Sequence, residues 1–391
     1  MKKIRPLCRV TGVLGLTACW LAFAGGIQNA AWKGKIVTEN GIRVVLNTAD
    51  PVYEDVSLDF AEDLRIGKEG DAQAQFYRVR DVAADGHGNI YIDDMSNNRI
   101  QVFDPKGGYL RTIGRAGQGP GEFEHPTLVR IGGREGRVHV MDRFARINLF
   151  DAGGVYLRSI VTEQAFEDYF PDDGDGFVII AGEESEKDLS VFNVLCRIDA
   201  AGKMRAALAR YPYTLYMEKT ENGGILSSTT GHEMQLYAAP LPGNGIVYGY
   251  SKDYELVVLG PDDKKRVVIR KEETRPEFTA AEKAGFRRIP VPKLKPFFYG
   301  VLTDPEGRIY VHRNMNVEGK RGFGPIATQN KRCDVFSREG AFLFRTELPP
   351  NARAIGGGYV YSYLVDEDAG LEYVQRFRIK NYSALPVDMK R

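Results

Sequence analysis

In this 391-residue chain, the five histidines are the side chains that could serve in the most kinds of chemistry. Three imidazoles are a usual ligand set for catalytic zinc, and one imidazole can serve as a general acid or base. The five are His87, His125, His139, His232 and His312. His125 and His232 each lie just before an apolar run of strand type, so we expect both near the same end of the fold. No third histidine joins them, and no metal site is predicted.

Four carboxylates lie near the starts of similar apolar runs and could take part in acid–base chemistry. They are Asp81, Glu167, Asp168 and Glu233. Polar residues at strand ends are usually only solvated, so each is weak evidence alone. Asp168 is kept as a candidate binding residue, and no catalytic residue is assigned.

A cluster at Asp172–Gly176 resembles the start of a calcium loop. Gly174 occupies the third position, where an oxygen ligand is needed, so the EF-hand pattern fails. We interpret the cluster as a hairpin turn. The sequence also contains no serine–histidine–aspartate motif, phosphate loop or dinucleotide fingerprint.

The strands that would position these residues can be predicted from a repeat in the sequence. Ile66-Gly67 recurs as Ile113-Gly114, Arg99–Asp104 as Arg146–Asp151, and Tyr109–Ile113 as Tyr156–Ile160. Each pair is 47 positions apart. A fixed period of about 40–50 residues made of short strands is typical of a propeller blade.

Each repeat holds four short apolar runs separated by turn residues, which predicts four strands. Ile90, Tyr91 and Ile92 are apolar in succession, as expected for a strand buried on both faces between stacked sheets. We predict an all-β chain forming a single six-bladed propeller with four-stranded blades. Leu58–Ile66 matches only a last strand and is predicted to close the sixth blade. The predicted divisions are a signal peptide at 1–30, a hairpin extension at 31–57 and the propeller at 58–391.

Two insertions interrupt the period. Thr274–Lys295 contains a capping-box pattern, which predicts one short helix from Ala280 to about Arg288. His312–Arg332 is rich in glycine and basic residues and is predicted to form a flap. Since turns between second and third strands share a face with the links between blades, both insertions should lie on one loop-rich face.

That face is predicted to be basic and partly aromatic, which suits an anionic ligand such as a carboxylated glycan or an acidic peptide. The alternative is that its cations only keep two long loops solvated. Two further arginines at first-strand starts should point into the channel below. The candidate binding residues are Arg80, His125, Asp168, His232, Tyr299, Lys320, Arg321 and Arg353.

The first residues have the pattern of an export signal. Lys2, Lys3, Arg5 and Arg9 precede an apolar run that ends near Ala24. A competing interpretation is a lipobox that ends at Cys19, which would then be acylated. We expect a periplasmic or extracellular protein, with attachment to the outer membrane if Cys19 carries lipid.

Charge and composition say little about the binding partner, except that they do not favour nucleic acid. Lys plus Arg falls from 53 to 49 once the signal is removed, against 52 Asp plus Glu, a net charge near −3. This balance gives no reason to expect nucleic acid as a partner. A hydrophobic content of 43% is ordinary for a globular protein.

Gly114–Phe123, followed by Pro126, resembles the link between blades in NHL-repeat propellers, and Asp85–Ile92 and Arg99–Asp104 resemble strand segments of that group. The mature chain is similar to exported bacterial six-bladed propellers of the NHL and TolB-like group. The resemblance implies the fold. Similar propellers include an amidating lyase that holds zinc with channel histidines, and lactonase-like enzymes that bring carboxylates to the channel.

Function is less constrained than fold, since one fold hosts many activities. No complete catalytic constellation can be named, so we expect a non-enzymatic binding or scaffolding propeller that recognises a protein, peptide or glycan on its loop-rich face. The alternative is a lactonase-like or metal-dependent hydrolase or lyase at the channel mouth. We expect a monomer without a cofactor, with membrane contact only through a lipid anchor.

Overall fold

The computed structural model describes residues 32–184, 190–213, 216–219, 225–228, 232–280, 283, 293–313, 331–366 and 368–389. The predicted signal peptide with Cys19 lies outside these residues, as do Lys320 and Arg321. Most of the predicted helix at 280–288 is also outside them. At its start, the Lys283 backbone N–H donates to the Thr279 carbonyl at 3.0 Å.

An N-terminal hairpin precedes the repeats. Strands β1 (Lys35–Glu39) and β2 (Ile42–Asn47) pair in antiparallel fashion. The turn residues Asn40 and Gly41 have φ of 50° and 78°, the left-handed values that a tight hairpin turn requires. Strand β3 (Phe60–Ile66) follows.

The first three blades are four-stranded antiparallel sheets that follow the chain in order. The strands of blade one are β4 (Val79–Ala84), β5 (Ile90–Asp94), β6 (Arg99–Phe103) and β7 (Tyr109–Ile113). Those of blade two are β8 (Pro126–Gly132), β9 (Arg137–Asp142), β10 (Arg146–Phe150) and β11 (Tyr156–Val161). Those of blade three are β12 (Phe166–Pro171), β13 (Phe177–Glu184), β14 (Val191–Ile198) and β15 (Met204–Tyr213).

A separate two-stranded hairpin, β16 (Tyr216–Lys219) and β17 (Ile225–Ser228), lies between blades three and four. The strands of blade four are β18 (Leu236–Leu241), β19 (Gly245–Tyr250), β20 (Glu255–Leu259) and β21 (Lys265–Lys271). Strand β2 pairs in parallel with β21, so the N-terminal hairpin covers the outer edge of blade four and makes it a six-stranded sheet.

The last two blades complete the ring. The strands of blade five are β22 (Val301–Thr303), β23 (Ile309–His312), β24 (Lys331–Phe336) and β25 (Phe342–Leu348). Those of blade six are β26 (Ala354–Gly356), β27 (Tyr359–Asp366), β28 (Leu371–Ile379) and β3. Phe60 of β3 pairs with Ile379 of β28, and Ile66 with Val374. The predicted six-bladed propeller, closed by an N-terminal strand, is confirmed.

The first strands line the centre of the ring. Strand β4 contacts β8, β8 contacts β12, β18 contacts β22, β22 contacts β26, and β26 contacts β4. Each blade therefore buries both faces against its neighbours. Tyr91 packs with blade two, whereas Ile90 and Ile92 on the opposite face pack with Tyr361 and Val374 of blade six. This explains why β5 lacks the polar alternation of a half-exposed strand.

Aspartates organise the turns at the end of the ring opposite the links. Asp85 Oδ1 accepts hydrogen bonds from the N–H groups of His87 and Asn89, both at 2.9 Å. Asp172 Oδ1 accepts from Gly174 and Gly176 at 2.7 and 2.9 Å. The apparent calcium loop is thus a hairpin turn of blade three, as the sequence indicates. Among the described residues, no group of three or more His, Cys, Asp or Glu is arranged to hold a metal.

Candidate binding site in the central channel

A cavity of about 290 Å³ lies in the channel and is lined by residues of all six blades. Several of these residues precede or begin first strands, as Tyr299 and Arg353 do, or lie at the ends of second strands, as His312 does. These positions are at the end of the ring that carries the links between blades. The cavity is therefore at the channel mouth on the loop-rich face.

One wall of the cavity is acidic and comes from blades one to three. Arg130 of β8 bridges two carboxylates, with Nη1 2.5 Å from Asp81 Oδ2 and Nη2 2.8 Å from Asp168 Oδ1. Asp81 also accepts the Val129 N–H at 3.1 Å. Burial opposes the charge on Arg130, but Asp168 and Asp81 outweigh it and raise the arginine pKa. The protein thus satisfies most of the charge on this wall internally.

Glu167 lies beside this group. Removal from water and the neighbouring Asp168 charge both raise the pKa of Glu167. Burial likewise raises the pKa of Asp168, although Arg130 opposes the shift. These carboxyls therefore hold protons more tightly than exposed carboxyls do.

The opposite wall is basic and comes from blades five and six. Arg353 donates weakly from Nη2 to the Tyr363 hydroxyl at 3.4 Å, and its guanidinium lies 5.4 Å from the centre of that ring. Arg353 Nε is buried without a hydrogen-bond partner. Lys331 Nζ donates to the Ala352 carbonyl at 3.1 Å. In the described part of the chain, neither cation has a carboxylate within ion-pair distance.

Burial lowers the pKa of Lys331 to about 7, and the Arg353 charge contributes to the shift. His312 lies on the same wall and is 5% exposed. Its Nε2 is buried without a hydrogen-bond partner. Burial, followed by the charges of Lys331 and Arg353, lowers the pKa of His312 well below its usual range, so this imidazole is neutral at neutral pH.

Space for the His312 ring depends on a glycine. A Cβ on Gly300 would lie 2.9 Å from His312 Nδ1, closer than ordinary contacts allow. The backbones of the two segments are joined, since His312 N–H donates to the Gly300 carbonyl at 2.9 Å. A side chain at position 300 would therefore displace the imidazole.

Tyr299 contributes a hydroxyl to the cavity rim. Its Oη lies 2.9 Å from His232 Nδ1, and the His232 ring packs edge-on against Phe278 with centroids 4.9 Å apart. His232 itself is buried and does not line the cavity. Its position suits a role in orienting the Tyr299 hydroxyl.

The structure brings together some of the predicted site residues and separates others. Asp168, Tyr299 and Arg353 line the cavity, and His232 contacts Tyr299. His125 does not line it: this exposed residue donates its backbone N–H to Asp142 at 2.6 Å, and its ring lies 6.4 Å from that of Phe144. Arg80 directly precedes Asp81 in β4 but does not line the cavity.

Three cavity residues, Arg130, His312 and Lys331, were not among the predicted binding residues. The sequence pattern placed His312 and Lys331 in the predicted flap, but His312 ends β23 and Lys331 begins β24. Arg313, placed on the same basic face, is instead held by Glu273 and by Asp334, the latter at 2.6 Å. The alignment of blade five with blade one could have placed His312 in a strand. His312 pairs with Cys333 just as Asp93, in the second strand of blade one, pairs with Ile100.

Comparison with known families agrees with the fold. Residues 75–207 match DUF5128, a family described as a 6-bladed beta-propeller. No curated protein matches the chain by sequence. The chain is a six-bladed β-propeller, on the evidence of its own sheets and of this match.

Several solved structures resemble this chain at low sequence identity. A candidate exported protein of Bacteroides fragilis has a TM-score of 0.50 and 12% identity, covering 86% of this chain and 99% of that chain. A DUF4221 family member from Bacteroides vulgatus has a TM-score of 0.48 and 11% identity, covering 83% and 99%. Virginiamycin B lyase from Staphylococcus aureus has a TM-score of 0.38 and 9% identity, covering 82% and 99%. At these identities the similarity concerns the fold alone.

Within the described ranges, no helix is long and apolar enough to cross a membrane.

Proposed function

We propose that this protein is an exported, non-enzymatic binding propeller that holds a small carboxylate-bearing ligand at the mouth of its channel. The observation that carries the proposal is the pair Lys331 and Arg353. Both line the cavity, and no carboxylate of the described chain pairs with either. Export is supported by the signal pattern at 1–30 and is consistent with an exported structural neighbour.

The electrostatic argument rests on the cost of burying charge. A buried cation without a counter-ion is unfavourable, and a folded chain usually pairs it. Here the opposite wall shows such pairing, because Arg130 is bound by Asp81 and Asp168. The basic wall lacks it, so an anionic ligand would supply the missing partner. A planar carboxylate suits the fork of donors on an arginine.

The size of the cavity limits the ligand. Small-molecule sites typically measure about 300–1,000 Å³, and the cavity lies at the lower limit of that range. A protein partner would instead need a broad contact surface of about 800 Å². The ligand is therefore a small molecule, or the acidic end of a glycan or peptide.

Calorimetric titration at low salt tests the proposal with lactate, succinate, glucuronate and an N-acetylated dipeptide. We expect at least one to bind, and Arg353→Met to weaken that binding by about tenfold or more. Arg266→Met is the matched control, since Arg266 is exposed and paired with Asp262 outside the cavity. Failure of every carboxylate to bind, or equal binding by Arg353→Met, would contradict the proposal.

A further inference from the structure

Three nitrogen groups occupy one wall of the channel cavity. They belong to the side chains of Lys331, Arg353 and His312, and His312 and Lys331 come from neighbouring strands of blade five. We propose that Lys331 forms a reversible imine with the carbonyl carbon of a 2-oxo acid whose carboxylate is bound by Arg353. This inference rests on the proposed function, because it uses the same anion-binding wall.

The first requirement is an amine that can carry a free electron pair. An exposed lysine is protonated and a poor nucleophile at neutral pH, whereas burial beside another cation favours the neutral amine. Lys331 is in that environment, with Arg353 close by and burial lowering its pKa to about 7. In the described chain no carboxylate stabilises its proton, and Nζ contacts the Ala352 carbonyl at 3.1 Å.

The second requirement is an anchor that places the carbonyl carbon near the amine. Ala352, the acceptor for Lys331 Nζ, directly precedes Arg353 in the chain. The amine therefore lies against the same backbone segment that carries the guanidinium. A 2-oxo acid suits this wall because its carbonyl carbon is bonded directly to the carboxylate, so a carboxylate bound by Arg353 keeps the carbonyl on the wall that carries the amine.

The bond changes balance without an oxidant or reductant. The neutral Lys331 amine attacks the carbonyl carbon, the nitrogen–carbon bond forms, and the carbonyl π electrons move to oxygen, which takes up a proton. Loss of that oxygen as water then leaves the imine. Both protons of that water come from the amine nitrogen, the first moving to the oxygen after the attack and the second as the oxygen departs, so the step needs no other proton source.

Reductive trapping of the purified protein provides the test. Pyruvate with cyanoborohydride should give one stable adduct per chain, seen by intact mass, and peptide mapping should locate it at Lys331. Acetone, which lacks the carboxylate, should react at least tenfold more slowly. Lactate, which lacks the carbonyl, should give no adduct and should slow trapping by pyruvate.

Substitutions test the separate roles of the Lys331 amine and the Arg353 guanidinium. Lys331→Met should abolish the adduct, Arg353→Met should slow its formation at least tenfold, and Lys265→Met should leave it unchanged, because Lys265 is exposed and outside the cavity. Peptide mapping of the unmutated protein decides the question even if a variant fails to fold. Adducts spread over exposed lysines, or none at Lys331, would overturn the imine. Binding of pyruvate or lactate without trapping would overturn the imine alone, whereas absence of any carboxylate binding would also overturn the proposed function.

Discussion

Blades one and two differ from blade five in the charged residue at the end of the second strand. In blade one, Asp94 is fully buried, pairs with Arg99 at 2.8 Å, and accepts the Tyr77 N–H of the preceding link at 2.8 Å. Asp142 of blade two repeats this arrangement with Arg146. The repeat thus copies an ion pair whose partners are all supplied by the chain.

Blade five lacks this arrangement. The position of Asp94 is occupied by Arg313, which binds Glu273 and Asp334 instead. Blades five and six then expose Lys331 and Arg353 to the cavity without a carboxylate partner in the described chain. At the end of the second strand the regular blades therefore bury an ion pair supplied by the chain, whereas the cavity wall formed by blades five and six leaves two cations available to a ligand. This difference locates the candidate site.

Removal of the repeated ion pair should have the largest effect. Asp142→Ala leaves Arg146 and the His125 N–H without their acceptor, and we expect the free energy of unfolding to fall by about 3 kcal/mol. Urea denaturation measures this. Asp50→Ala, at an exposed position, should change stability by less than about 0.5 kcal/mol. Equal effects of the two substitutions would show that the pair is not a structural element.

The link between blades one and two provides the next test. Gly114 has φ of 74°, and a Cβ there would lie 2.1 Å from Phe123 Cε2. Gly70 has a similar φ of 72° with open space around it. We expect Gly70→Ala to cost about 1 kcal/mol from backbone strain and Gly114→Ala about 1–3 kcal/mol more from the clash. Similar losses in urea denaturation would mean that Phe123 moves aside freely.

Binding at the basic wall should depend on pH. Lys331 has a pKa of about 7, so it is mostly protonated at pH 6 and mostly neutral at pH 8. Affinity for lactate should therefore fall by up to about tenfold across this range, as one charged donor is lost while Arg353 stays charged. Calorimetry at both pH values measures the change. The same slope in Lys331→Met would assign the titration to another group.

The smallest expected effect is a rise in the free energy of unfolding when Lys331 is replaced. The pKa of Lys331 is lower in the folded chain than its usual 10.5, so between about 7 and 10.5 the unfolded state binds more protons. The stability contributed by this group therefore rises with pH across that window and is lowest below pH 7. Lys331→Met should stabilise the protein by about 1 kcal/mol at pH 6 and by less at pH 9.

Lys265→Met, at an exposed position, should show no such pH trend in the same urea denaturation series. A loss of stability at pH 6 in Lys331→Met would mean that its methylene chain matters more to packing than its charge costs. That outcome would remove the contrast between the two regions at this position.

The amino-acid sequence by itself determined the propeller. The 47-residue period, the turn aspartates and the isolated last strand at Leu58–Ile66 are local patterns, and strand pairing follows from them. Repeats of this kind bury apolar faces against their neighbours, so the number of blades and the closing strand could be counted along the chain.

Only the tertiary structure decided the site. Arg130, His312, Lys331 and Arg353 come from blades two, five and six and share no sequence motif. They meet because each lies in or next to a strand that reaches the channel mouth, and which side chain faces the channel depends on strand ends and bulges such as the register shift between Pro126 and Leu128. A basic residue beside a long insertion is usually solvated. Lys331 is only partly exposed, because pairing with Leu348 places it at the start of β24 rather than in the predicted flap.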